Sequence, residues 1–108
     1  MRVMRQMDQV LESSGVEWHR GAGLDPRPYI TAMLRLCQEQ HVDDHPIDHL
    51  RQVARVMESL RGTIDPAGLK AGEENAAQYE RWLSSTFPKA FAQIQKRAAQ
   101  RVRKLALN

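Results

Sequence analysis

Cysteine and histidine recur every four residues in one stretch of the chain, at Cys37, His41, His45 and His49. Both side chains bind zinc and copper, and residues four apart share one face of a helix. An unbroken helix through this stretch would therefore bring neighbouring ligands together. The first hypothesis that the spacing raises is a metal site.

The residues between these histidines predict instead that the helix is interrupted. Asp43 and Asp44 are poor residues for a helix interior, and Pro46 would clash with the carbonyl four positions earlier. The same residues suit the start of a new helix, with Asp44 or His45 as the N-cap and Pro46 in the first turn. Asp48 then adds a negative charge at the positive end of the helix dipole. We interpret the stretch as a helix boundary and predict no metal or other cofactor. A metal site would form only if the corner between the two helices brought several of the candidate ligands together: Cys37, His41, His45 and His49.

No other group of residues resembles a catalytic site. Cys37 falls on an apolar arc, where a cysteine is typically a small buried hydrophobe and not a reactive thiolate. The chain has no glycine-rich phosphate loop, no nucleophile elbow and no evident carboxylate pair. We therefore predict that the protein is not an enzyme.

Charge is distributed unevenly along the 108 residues. Residues 1–83 carry 10 basic and 13 acidic side chains, a balance of −3, while residues 84–108 carry 6 basic side chains and no acidic one. A basic segment on a mildly acidic body is the strongest functional signal in the sequence. The six basic residues are candidates for binding nucleic acid: Lys89, Lys96, Arg97, Arg101, Arg103 and Lys104.

The basic segment is predicted to form an amphipathic last helix, over about residues 87–106. On a helical projection the six cations span an arc of about 160°. The opposite side carries an apolar stripe of Phe91, Ile94, Ala98, Val102 and Leu105. The stripe must pack against the rest of the chain or against a second copy.

Two functions fit this helix. In the first, its basic face binds a polyanion, namely nucleic acid, with weak sequence preference because phosphates carry no sequence information. An acidic protein surface is the other partner that such a face would suit. In the second, the protein is an interaction module, an adaptor or inhibitor and possibly a homodimer, and the basic face only keeps it soluble.

The remaining elements predict an all-α, single-domain bundle of four to five helices over residues 1–108. Apolar residues recur at helical spacing in residues 2–13, after Pro28, from Pro46 to Arg61, and from Glu73 to Ser84. Residues 16–28 and 62–72 are rich in glycine and proline and are predicted to be loops. No stretch alternates with the period of two that is typical of a strand.

Composition favours a cytoplasmic protein. Cys37 is the single cysteine, so no disulfide can form within the chain, as is usual in a reducing compartment. The first residues lack the apolar stretch of a signal peptide, and no run is long enough to span a bilayer.

Overall fold

The structure is a computed structural model that describes residues 2–13, 17–23, 25–39 and 45–107. These residues form five α-helices and one 3₁₀ turn, with no strand, which confirms the predicted all-α bundle. The helices are α1 (Arg2–Ser13), α2 (Arg27–Glu39), α3 (Pro46–Leu60), α4 (Pro66–Thr86) and α5 (Pro88–Leu107), and the 3₁₀ turn is Trp18–Arg20. In the described part of the chain, no helix combines the length and apolar character that crossing a membrane requires.

Helix α3 lies at the centre of the bundle, where it packs against α1, α2 and α4. Helix α2 packs mainly against α3 and α5. The core is mostly aliphatic residues and methionine, as the low aromatic content predicts. Its fully buried members include Leu11, Ile30, Met33, Leu34, Ile47, Leu50, Leu83 and Ile94.

One face of α3 is buried along most of its length. Ile47, Leu50 and Val53 are buried, but Leu60 near the end of the helix is 70% exposed. Glu58, a charged residue, is 0% exposed. Glu58 follows the buried Ala54 by four residues and so lies on the same face of the helix.

Helix α4 begins well before the predicted start at Glu73. The Asp65 side chain accepts a hydrogen bond from the backbone N–H of Ala67 at 3.1 Å, and Pro66 occupies the first turn. The prediction of a long turn over residues 62–72 was wrong because two glycines in this segment, Gly68 and Gly72, are buried helix residues. Their lack of side chains lets α4 approach the 3₁₀ turn and α3 closely.

The predicted loop after α1 contains buried structure. Trp18 and His19 of the 3₁₀ turn are both buried, and the turn ends at Gly21, whose φ of 80° suits glycine. The backbone N–H of Gly21 donates to the carbonyl of Trp18 at 3.0 Å. This turn packs against α4 and supplies one end of the core.

Helices α4 and α5 meet at a sharp bend. Ser85 and Thr86 both continue α4 and do not cap the last helix. The helix ends at Phe87, whose φ of −129° and ψ of 64° turn the chain, while its N–H donates to the carbonyl of Leu83 at 2.9 Å. Pro88 then begins α5 in a first turn that needs no N–H from it.

Candidate polyanion-binding surface

Helix α5 is amphipathic, but only its first half packs against the bundle. It contacts α2 and α4. Ile94 is 2% exposed, and Phe91 and Ala98 are half-buried. Further along the same stripe, Val102 is 68% exposed and Leu105 is 64% exposed. The predicted stripe is therefore covered over about three turns and open to solvent beyond them.

The basic side of α5 faces solvent. Five of the six candidate residues are exposed: Lys89, Lys96, Arg101, Arg103 and Lys104. Arg97, the sixth candidate, is half-buried, and its Nη1 donates to the backbone carbonyl of Cys37 at 3.1 Å. Arg97 therefore ties α5 to the end of α2.

The basic side of α5 differs from the rest of the described molecule in its ion pairs. Among the described residues, every ion pair joins side chains within residues 8–80; the arginines involved are Arg20, Arg27, Arg51, Arg55 and Arg61. Four cations of α5 have no carboxylate partner in that described part of the chain: Lys89, Lys96, Arg103 and Lys104. Within the described part of the chain, these four charges face solvent.

His45 also holds α5 in position, through contacts with two residues of that helix. Its Nδ1 accepts a hydrogen bond from the backbone N–H of Ile47 at 3.2 Å, so His45 is the N-cap of α3, as the sequence predicts. The acceptor role of Nδ1 assigns the ring proton to Nε2, which donates to Oε1 of Gln95 at 2.7 Å. The ring also packs edge-on against Phe91, with centroids 5.5 Å apart.

The residues of the metal hypothesis make other contacts. His49 Nε2 lies 2.7 Å from Oδ2 of Asp8, which joins α3 to α1, and Cys37 is buried in the core. His41 lies outside the described residues. In the described ranges, no three histidine, cysteine or carboxylate side chains are grouped so that they could hold a metal ion.

Sequence reasoning missed a buried charged cluster of Glu58, His19 and Arg20. Glu58 accepts from His19 Nε2 at 2.6 Å, from Arg20 Nε at 2.7 Å and from Arg20 Nη2 at 2.6 Å. Chiefly through the hydrogen bonds of Arg20, the cluster lowers the pKa of Glu58 to about 2, against the opposing effect of burial. A methyl group at Gly68 would overlap the Glu58 carboxylate and the Arg20 guanidinium, so α4 closes over the cluster.

The cluster is closed to solvent, because Glu58 and His19 are both 0% exposed. The single signal for it in the sequence is the four-residue spacing between Ala54 and Glu58.

Reasoning from the sequence also missed a cleft beside the 3₁₀ turn, lined by Trp18, Tyr79 and Trp82. Its aromatic residues lie about 60 residues apart in the chain, and no local pattern connects them.

No protein-family model, curated protein or solved structure matches this chain. The function must therefore be inferred from the geometry and charge of the described residues.

Proposed function

We propose that the protein is a small non-enzymatic accessory or regulatory protein that binds nucleic acid through the basic face of α5. The observation that supports this most directly is the group of four exposed cations without carboxylate partners in the described chain: Lys89, Lys96, Arg103 and Lys104. A protein that needed only solubility would gain little from placing four such cations on one helix face.

The proposed binding is electrostatic and depends on salt. Each phosphate that a cation neutralises releases a condensed counterion, so the logarithm of the affinity falls by about 0.9 per contact for each tenfold rise in salt. With the five exposed cations of α5 in contact, the expected slope is about −4.5. Sequence preference should be weak, since contacts to phosphate do not distinguish bases. The basic arc holds no aromatic side chain on which the bases of a single strand could stack.

A pair of charge reversals tests this proposal. Lys96→Glu with Arg103→Glu should weaken binding to a duplex of arbitrary sequence by at least about 100-fold and make the salt slope shallower by about 2. The matched control is Lys70→Glu with Arg81→Glu. These residues are exposed on α4 and have no ion-pair partner among the described residues, so the change in net charge is identical.

Fluorescence anisotropy of a labelled duplex between about 50 and 200 mM salt measures both quantities. Equal losses in the two variants would mean that only net charge matters and would contradict a site on α5. Binding that does not change with salt would contradict an electrostatic mechanism.

A second candidate function is supported by the open end of the apolar stripe. Val102 and Leu105, with Ala98, line a groove of about 350 Å³ whose opposite wall is formed by the start of α3. A second copy of the chain that covered this groove would make the protein a homodimeric interaction module. Sedimentation over a range of protein concentrations tests this. Val102→Ser with Leu105→Ser should remove any association, whereas a monomer at all concentrations contradicts the candidate.

A further inference from the structure

We propose that the cleft between the 3₁₀ turn and α4 is a binding site for a small, uncharged, planar heteroaromatic molecule. The cleft is lined by residues of the turn, of the loop after it and of α4. The proposal is independent of nucleic-acid binding by α5, because none of the basic residues of α5 lines the cleft.

Aromatic side chains form the walls of this cleft. Trp18 and Tyr79 lie with ring centroids 6.4 Å apart and planes inclined at 59°. Trp82 also lines the cleft and is held edge-on against Phe87 at 6.2 Å. The chain has six aromatic residues of the Phe, Trp and Tyr types, and three of them, including both tryptophans, line this cleft. Aromatic walls favour a ligand with flat faces.

Trp18 supplies a polar group that has no partner in the protein. The residue is only 1% exposed, and its indole Nε1 is buried without a hydrogen-bond acceptor among the described residues. Most buried N–H groups in proteins are paired, and a buried tryptophan usually finds an acceptor for its N–H. Because Nε1 has almost no accessible surface, a ligand that carries an acceptor would reach this donor by displacing the side chains that cover it.

The rim of the cleft is open and electrically neutral. Gly21 and Gly23, with φ of 80° and 79°, adopt a conformation that side chains resist, so no side chain projects from these two positions over the aromatic walls. Asp25 and Arg27 line the rim and pair with each other at 2.7 Å between Oδ2 and Nη2. Because Arg27 neutralises Asp25, the cleft has no excess negative charge for a cation.

These features together define the class of ligand. An alkylammonium ion would be attracted to aromatic faces, but it would leave the Trp18 N–H unpaired and would meet no net negative charge. A heteroaromatic ring offers flat faces to Tyr79 and Trp82 and an acceptor nitrogen or carbonyl at its edge for Trp18. The cleft volume of about 400 Å³ lies at the lower end of the range for small-molecule sites.

The test uses the tryptophans as reporters, since both lie in the cleft. Four uncharged probes, adenosine, caffeine, nicotinamide and lumichrome, are titrated while tryptophan fluorescence and heat are recorded, with choline as the cationic comparison. We expect saturable binding of at least one heteroaromatic probe with a Kd below about 1 mM, and none of choline. No binding by any of the four, or binding of choline alone, would overturn the proposal.

Substitutions then locate the site. Trp18→Phe keeps the ring but removes the donor and should weaken binding about tenfold, and Trp82→Ala should weaken it at least as much. The matched control is the variant Lys96→Glu with Arg103→Glu, which should bind the probe like the unmodified protein. Loss of probe binding in this control, or full binding by Trp82→Ala, would contradict the cleft.

A second measurement does not depend on the folding of any variant. In the unmodified protein, NMR resolves two indole N–H signals, and the bound probe should move the Trp18 signal downfield because the N–H gains an acceptor. An unchanged Trp18 signal at saturation would exclude the proposed hydrogen bond. Duplex binding in Trp18→Phe should stay intact, so failure of this proposal and failure of the α5 proposal give different results.

Discussion

Glu58 is the residue on which the interior of this protein depends most. Its carboxylate is completely buried, yet each oxygen has a donor, from His19, from Arg20 or from both. A buried charge is tolerated only with such partners, and removal of one partner costs much more than the pair contributes. The cluster links the 3₁₀ turn to α3 beneath α4, so it joins parts of the chain that are about 40 residues apart.

Replacing Glu58 with glutamine should therefore lower the free energy of unfolding by about 3 kcal/mol, because it leaves the guanidinium of Arg20 next to a neutral amide. Urea denaturation measures this loss. Glu74→Gln on the exposed side of α4 is the control and should change stability by less than about 0.5 kcal/mol. Equal effects of the two substitutions would mean that the cluster is not stabilising.

Acid should destabilise the protein through the same carboxylate. Because its pKa is lowered from 4.5 to about 2, the folded state binds fewer protons at Glu58 than the unfolded state between these values. Its contribution to stability is complete above pH 4.5 and is lost as the pH falls towards 2. Melting temperatures measured from pH 6 down to pH 2 should fall less steeply for Glu58→Gln. Parallel curves for the two proteins would contradict the lowered pKa.

At the scale of elements, sequence patterns predicted helices where apolar periodicity and caps agree. The start of α3 at Pro46 was predicted from the proline and the N-cap before it. The amphipathic helix α5 was predicted because its cations and the apolar stripe that contains Ile94 fall on opposite faces. The patterns failed at the start of α4, since Gly68 and Gly72 are glycines that permit close packing and are not turn signals. Pairing of Glu58 with residues of the 3₁₀ turn could not be predicted, because it depends on tertiary contacts.

The N-cap of α3 gives a prediction at this scale. His45→Ala removes both the cap of Ile47 and the bond to Gln95, and should lower stability by about 2 kcal/mol. His45→Asn keeps a capping side chain and should lose only about half as much. Thermal and urea denaturation compare the two variants. If both lose the same amount, the cap contributes nothing measurable.

Across the whole molecule, packing and charge both change along α5. Its first half completes the core through Ile94, and its second half extends the stripe without a cover. Five arginines of the acidic body lie in ion pairs, while four exposed cations of α5 have no carboxylate partner among the described residues. The proposed binding surface is therefore separate from the buried Glu58 cluster, so each can be changed without the other.

This separation predicts unequal effects of two similar truncations. Ile94→Ala should cost about 3 kcal/mol because it leaves a cavity in the core. Leu105→Ala should change stability by less than about 0.5 kcal/mol in the monomer, as its side chain is already exposed. Denaturation at two protein concentrations distinguishes a monomer from the homodimer of the second candidate function. A cost at Leu105 that grows with concentration would support the homodimer.

The length of α5 sets a length for the polymer that it is proposed to bind. Lys89 and Lys104 are 15 residues apart on one continuous helix, which corresponds to about 22 Å at 1.5 Å per residue. A duplex whose axis runs alongside advances by one base pair every 3.4 Å or so, hence by about seven base pairs over that span. Oligonucleotides shorter than this should bind progressively more weakly, and longer ones should accommodate one further molecule for each additional helix length.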